Sequence, residues 1–141
     1  MYSARNLANQ YRQTSVSSAV LDADPHRLIA LMLSGARERA RLAVACLERG
    51  DLLRKSQAIA DASAIIGGLN GSLNHEAGGE IADGLASLYD YAQRRLLEAN
   101  ADNQSAPLQE VDALLGDIET AWNAIADGPR QPQAAVAGGA A

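Results

Sequence analysis

From residue 25 onward, apolar side chains return every three or four positions, the repeat of an α-helix buried along one side. The first such run is Ile29, Leu33, Ala36, Ala40, Ala43 and Leu47. Asp24 is a good N-cap in front of it. Pro25 suits the first helical position, where its missing N–H costs nothing. Arg27, Arg37, Glu38, Arg41 and Glu48 read as the opposite, solvated side. Gly50 stops the helix and Asp51 caps the next one, a link so short that the second helix must run antiparallel to the first.

The second helix spans about Leu52 to Leu73, with Leu52, Ile59, Ala62, Ile66, Leu69 and Leu73 as its core stripe. Ala60, Ala64, Gly67, Gly68 and Gly71 fall along another side. Each helical glycine costs about 1 kcal/mol relative to alanine. Two reasons for tolerating several compete: early fraying of the helix, or close approach of another backbone to a shallow groove. Asn74 to Gly79 reads as a loop, and Glu80 opens a third helix, where an acid suits the positive end of the dipole. Its expected core stripe is Ile81, Leu85, Leu88, Ala92, Leu96 and Ala99, flanked by a second strip of Ala82, Ala86, Tyr89 and Leu97. So wide an apolar arc implies contact with more than one neighbour. Polar residues 100–106 end at Pro107, and Leu108, Val111, Leu115, Ile118, Trp122 and Ile125 then mark a fourth helix, anchored by the tryptophan.

The pattern therefore predicts an all-α protein, an antiparallel up-down-up-down four-helix bundle over residues 24–126. Residues 1–23 are polar and Ser-rich with sparse apolar points, and read as an N-terminal arm. Residues 127–141, rich in Pro, Gly, Gln and Ala, have too little to bury and read as a disordered C-terminal tail. The chain shows neither an internal repeat nor strand-like alternation.

Composition narrows the function. The 141 residues are 48% hydrophobic but only 4% aromatic, with no Phe and one Trp, so aliphatic side chains and alanine must fill the core. A formal net charge of −5 argues against nucleic acid as the partner, because phosphate binding needs a basic surface. The polar start lacks the apolar run of a signal peptide, no segment approaches the ~18 apolar residues of a membrane span, and one cysteine forms no internal disulfide. A soluble cytoplasmic protein without membrane insertion is expected.

Catalytic chemistry is hard to find. His26 and His75 have no second His or Cys at a metal-ligand spacing, and both read as polar helix-end or surface residues. Cys46 lies on an apolar part of the first helix and reads as an inert core thiol. Gly78-Gly79 lacks the Lys-Ser/Thr of a phosphate loop, and the Glu-x-x-His spacing of di-iron bundles is absent. Glu76 and Glu80 are helix-start charges rather than a catalytic pair. No enzyme, metal or cofactor is expected. What remains is surface: an apolar-studded arm, a small-residue face and an extra apolar strip. Such faces on a small bundle fit a partner helix. The alternative is that the arm and tail, or a second copy in a homodimer, cover them.

Several runs resemble a known family. Tyr11, Val16 and Val20, followed by Asp24-Pro25-His26-Arg27-Leu28-Ile29 and Gly35-Ala36, resemble the start of the flagellin-specific export chaperones, FliS. Gly78-Gly79-Glu80-Ile81-Ala82, then Leu88-Tyr89-Asp90-Tyr91, Arg94-Arg95-Leu96-Leu97 and Ala99-Asn100 carry the most specific likeness. Glu110-Val111 and Ala121-Trp122 also agree. The likeness covers roughly residues 2–125; Leu33, where an aromatic is common, and Ser34, where an acid is common, depart from it. The resemblance implies a cytoplasmic antiparallel bundle that binds the C-terminal segment of newly made flagellin, blocks its premature polymerisation and presents it to the flagellar type III export gate. It implies a binding groove that includes Ile65, Leu69, Ala82, Ala86, Tyr89 and Leu97, and an arm whose Leu7 and Tyr11 cover part of that groove when flagellin is absent.

Overall fold

Four helices follow one another: α1 (Pro25–Arg49), α2 (Leu52–Gly71), α3 (His75–Asp102) and α4 (Ala106–Asp127). The computed structural model describes residues 24–127; Leu7 and Tyr11 of the predicted arm, and the tail beyond Asp127, lie outside the described residues. Local chemistry sets the first boundaries as the sequence predicts. The Asp24 carboxylate accepts the Arg27 N–H at 2.7 Å with Pro25 in the first turn, and Asp51 accepts the Arg54 N–H at 3.2 Å. Between them Gly50 takes the left-handed conformation (φ 74°), which glycine adopts without a Cβ clash.

The later boundaries move. α2 stops at Gly71, where the Ser72 hydroxyl donates to the Leu69 carbonyl at 2.9 Å, so Leu73 lies in the link. The expected loop at 74–79 contains a capped helical turn: Asn74 accepts the Ala77 N–H at 2.9 Å, and only Gly79 (φ 53°, ψ −127°) breaks the helix. At the other end α3 runs on to Asp102 and closes on Asn103, whose φ of 54° is left-handed.

α1 packs on α2 and α4, and α3 packs on the same two, so α1 and α3 stand across the bundle from each other. Side-chain pairs give the directions. Lys55 meets Asn100, Ser63 meets Gln93, and Asn70 meets Asp90, so residue numbers rise on α2 as they fall on α3. His26 meets Trp122 and Arg37 meets Asp112, which sets α4 antiparallel to α1. The core joins Leu33, Ala36 and Ala43 of α1 with Ile59, Ala62, Ile66 and Leu69 of α2, then with Tyr89, Ala92, Leu96 and Ala99 of α3 and Leu108, Val111 and Leu115 of α4.

On α3 the buried stripe departs from the expected one at two of its six positions, each one residue later, while Leu85, Ala92, Leu96 and Ala99 lie where expected. Ala82 and Tyr89 are buried, whereas Ile81 is 61% exposed and Leu88 lies at the surface. The seam Ala82, Leu85, Tyr89, Ala92, Leu96 and Ala99 alternates steps of three and four without a break, the condition for a straight contact line along the bundle. Leu52, at the first turn of α2, is also exposed. Nor does Arg37 lie on a purely solvated side: it pairs with Asp112 and Glu119 of α4, both at 2.7 Å, and Arg41 reaches Asp112 at 3.1 Å. Gly116 leaves room for this pairing, since a Cβ there would sit 2.9 Å from the Arg37 Cζ.

The chain's lysine, Lys55, is 3% exposed. Its ammonium donates to the Asn100 carbonyl at 3.1 Å, to Asn100 Oδ1 at 2.6 Å and to Asn103 Oδ1 at 2.7 Å. It therefore places a positive charge at the negative end of α3 and uses all three of its N–H bonds. Replacing it removes three bonds from a charged donor to half-buried Asn100 and to Asn103. Lys55→Met should cost about 2–3 kcal/mol in urea unfolding, and hydrogen exchange should show the loss concentrated in the last turn of α3.

Candidate functional site

The up-down-up-down order brings the start of α1, the end of α2, the start of α3 and the end of α4 to one end of the bundle. There they enclose a cavity of about 360 Å³. Ile29 and Leu33 come from α1, and Leu69 and Leu73 from the end of α2 and its link. Ala82, Leu85 and Tyr89 come from α3, with Ile118, Trp122 and Ile125 from α4. Polar atoms reach it chiefly from His26, Ser72 and Asn74, besides Tyr89. The volume lies in the range of small-ligand pockets and holds several aliphatic side chains.

One rim of the cavity is a reciprocal clasp. The His26 and Trp122 rings stack with centroids 4.3 Å apart and an interplanar angle of 9°. Trp122 Nε1 donates to the His26 carbonyl at 2.8 Å, and His26 Nε2 donates to the Trp122 carbonyl at 3.0 Å. His26 is thus half-buried and tied to α4, not a free surface residue. Trp122 anchors the last turns of α4 as expected, but only half-buried. Trp122→Ala should therefore cost about 2–3 kcal/mol, below the usual range for a fully buried tryptophan, when unfolding is followed by circular dichroism.

Tyr89 is 3% exposed, and among the described residues no hydrogen bond to its hydroxyl is formed. No fully enclosed side-chain polar atom of the described residues lacks a partner. The Tyr89 hydroxyl is therefore not sealed in the core; it opens onto the cavity that its ring lines. Burial alone pushes its pKa up to about 12. A different tyrosine environment lies outside, where Tyr91 donates to Glu110 at 2.5 Å and Arg95 Nε reaches the same carboxylate at 2.6 Å. Those two contacts, the Tyr91 bond first, hold Glu110 below the usual carboxylate range.

The six predicted groove residues fall into separate places. Leu69, Ala82 and Tyr89 come together around the cavity. Ile65 is buried in the core beside them, Ala86 is half-buried, and Leu97 stands 68% exposed on the outer surface. Reading one helix at a time missed Ile29, Ile118, Trp122, Ile125 and His26 as lining residues. The signal was present: an up-down-up-down order puts those helix ends at the same end of the bundle. Among the described residues no cluster of three or more His, Cys, Asp or Glu is arranged to hold a metal, and Cys46 is buried.

Among the described residues, fold and site define an all-helical bundle with an apolar cavity at one end. Comparison with known proteins gives the family. The model of the family described as "Flagellar protein FliS" matches residues 7–129. The flagellar secretion chaperone FliS of Salmonella typhimurium is 44% identical over 126 residues, covering 89% of this chain and 93% of that protein. The flagellar secretion chaperone FliSB of Pseudomonas aeruginosa is 42% identical over 125 residues, covering 89% and 98%. FliS of Bacillus subtilis is 33% identical over 118 residues, covering 84% of each chain. The chain belongs to the FliS family of flagellar secretion chaperones, which are not enzymes. No described helix is long and apolar enough to cross a membrane.

The raised Tyr89 pKa has a measurable consequence. The folded state keeps a proton that an unfolded tyrosine, with its ordinary pKa of 10, gives up first. Stability should hold below pH 10 and fall as the pH climbs toward about 12. Tyrosinate absorbance should show one late ionisation near the upper value, and Tyr89→Phe should remove that phase and flatten the alkaline loss of stability.

Proposed function

We propose that this protein is a cytoplasmic chaperone for newly made flagellin. It binds flagellin's C-terminal segment, keeps it from polymerising and presents it to the flagellar type III export apparatus. The observation that carries this reading is the open apolar cavity, in a chain whose relatives are flagellar secretion chaperones. A disordered segment that becomes helical on docking would place apolar side chains at successive turns into such a site. Leu69, Ala82 and Tyr89 form the cavity part of the groove, Ile65 supports it from the core, and Ala86 and Leu97 extend it over the outside of α3. Leu7 and Tyr11 of the arm cover part of this surface when flagellin is absent.

Calorimetry with flagellin carrying or lacking its C-terminal segment tests the reading. Binding should require the segment and show a distinctly negative heat-capacity change, the signature of coupled folding and apolar burial. Leu97→Asp replaces a side chain that is 68% exposed, so the bundle should stay folded while affinity falls about tenfold. Equal binding of full-length and truncated flagellin refutes the reading. A folded Leu97→Asp variant with normal affinity removes α3's outer face from the groove.

A further inference from the structure

The Tyr89 hydroxyl is a polar group without a described partner, on a cavity lined mostly by aliphatic side chains. It is not sealed, so in the free protein it faces space wide enough for water. A guest that fills the cavity expels that water, and an entirely apolar guest leaves the hydroxyl unpaired at a cost in binding. The site is therefore matched by a guest that brings a partner for it.

We propose that Tyr89 is a specificity-determining residue: its hydroxyl hydrogen-bonds one polar side chain, an amide or a hydroxyl, of the bound segment while neighbouring aliphatic side chains of that segment fill the cavity. The inference rests on the flagellin-binding reading above. The geometry supplies both halves of the recognition. Leu33, Leu69, Leu85 and Ile118 select apolar bulk, and Tyr89 selects against a segment that is apolar throughout. Discrimination of this kind is strong because a wrong ligand leaves the buried hydroxyl unpaired, whereas extra or missing apolar bulk is tolerated far better. At the cavity edge His26 Nε2 is engaged with the Trp122 carbonyl at 3.0 Å, the Ser72 hydroxyl with the Leu69 carbonyl at 2.9 Å, and Asn74 Oδ1 with the Ala77 N–H at 2.9 Å.

The test is a double-mutant cycle by calorimetry, using full-length chaperone and the C-terminal segment of flagellin as a peptide. Tyr89→Phe should weaken binding about five- to tenfold, while its urea midpoint stays equal to or above that of the wild type. Replacing each Asn, Gln, Ser and Thr of the peptide in turn with Ala should find one position that weakens binding to the wild type and has no effect on Tyr89→Phe. Undiminished affinity of Tyr89→Phe, or peptide positions that all lose equally against both proteins, overturns the inference and leaves the chaperone reading standing. A lower urea midpoint for Tyr89→Phe also overturns it, since the hydroxyl would then serve the fold. Failure of the wild type to bind the peptide overturns both.

Discussion

Everything in this bundle depends on four seams keeping steps of three and four long enough to meet along one axis. What fills the seams differs from end to end. Toward Lys55, α1, α2 and α3 contribute many alanines (Ala40 and Ala43, Ala58 and Ala62, Ala92 and Ala99), and Ile59, Leu96 and α4's Leu108, Val111 and Leu115 fill the space between them. Toward the other end they are long or branched: Ile29, Leu33, Ile66, Leu69, Leu85, Tyr89, Ile118 and Trp122. Small side chains let backbones approach and leave little to misfit, whereas branched ones meeting from four directions rarely tile the space completely. The cavity belongs to the second half of the molecule, and a chain without phenylalanine has few residues able to plug it.

The two ends are also fastened differently. At the narrow end, Lys55 binds the last turn of α3 through three acceptors, with Ser56 adding a bond to Asn100 Oδ1 at 3.0 Å. A buried ammonium satisfied by carbonyl oxygens is directional, and it fixes the register of α2 on α3 where alanines alone would permit sliding. At the wide end, the His26–Trp122 clasp joins α1 to α4, and the ion pairs of Arg37 and Arg41 continue that join along the same two helices. α3 joins α2 there through Asn70 and Asp90 at 3.0 Å, beyond the Gly79 break that follows its capped start.

Local signals made much of this legible. Asp24, Pro25, Gly50 and Asp51 act within a few residues of themselves, and the seams of α1 and α4 keep their three-and-four repeat, although Met32 and Cys46 are buried beside the one read for α1. α3 was ambiguous because two adjacent strips satisfy helical spacing equally well, and only packing against both α2 and α4 chooses between Ile81 and Ala82. Lys55 escaped notice for the opposite reason. It holds a seam position three and four residues from Ala58 and Ile59, but a lysine there reads as a break in the stripe until its acceptors on α3 are seen. The clasp between His26 and Trp122 joins residues 96 apart, and nothing local to either announces it. Periodicity finds faces; it does not find pairs.

The cavity sets the balance between stability and use. Filling it would stabilise the free bundle, because a void forfeits dispersion contacts on every lining side chain. A fold tolerates such a void because its other half is closed by the packed seams around Lys55 and by the Lys55 cap on α3. Stability concentrated at one end permits an unfilled site at the other. That division fits a protein whose task is to hold a guest and then release it: a cavity already filled by the fold's own side chains would have to be unfolded before anything could bind.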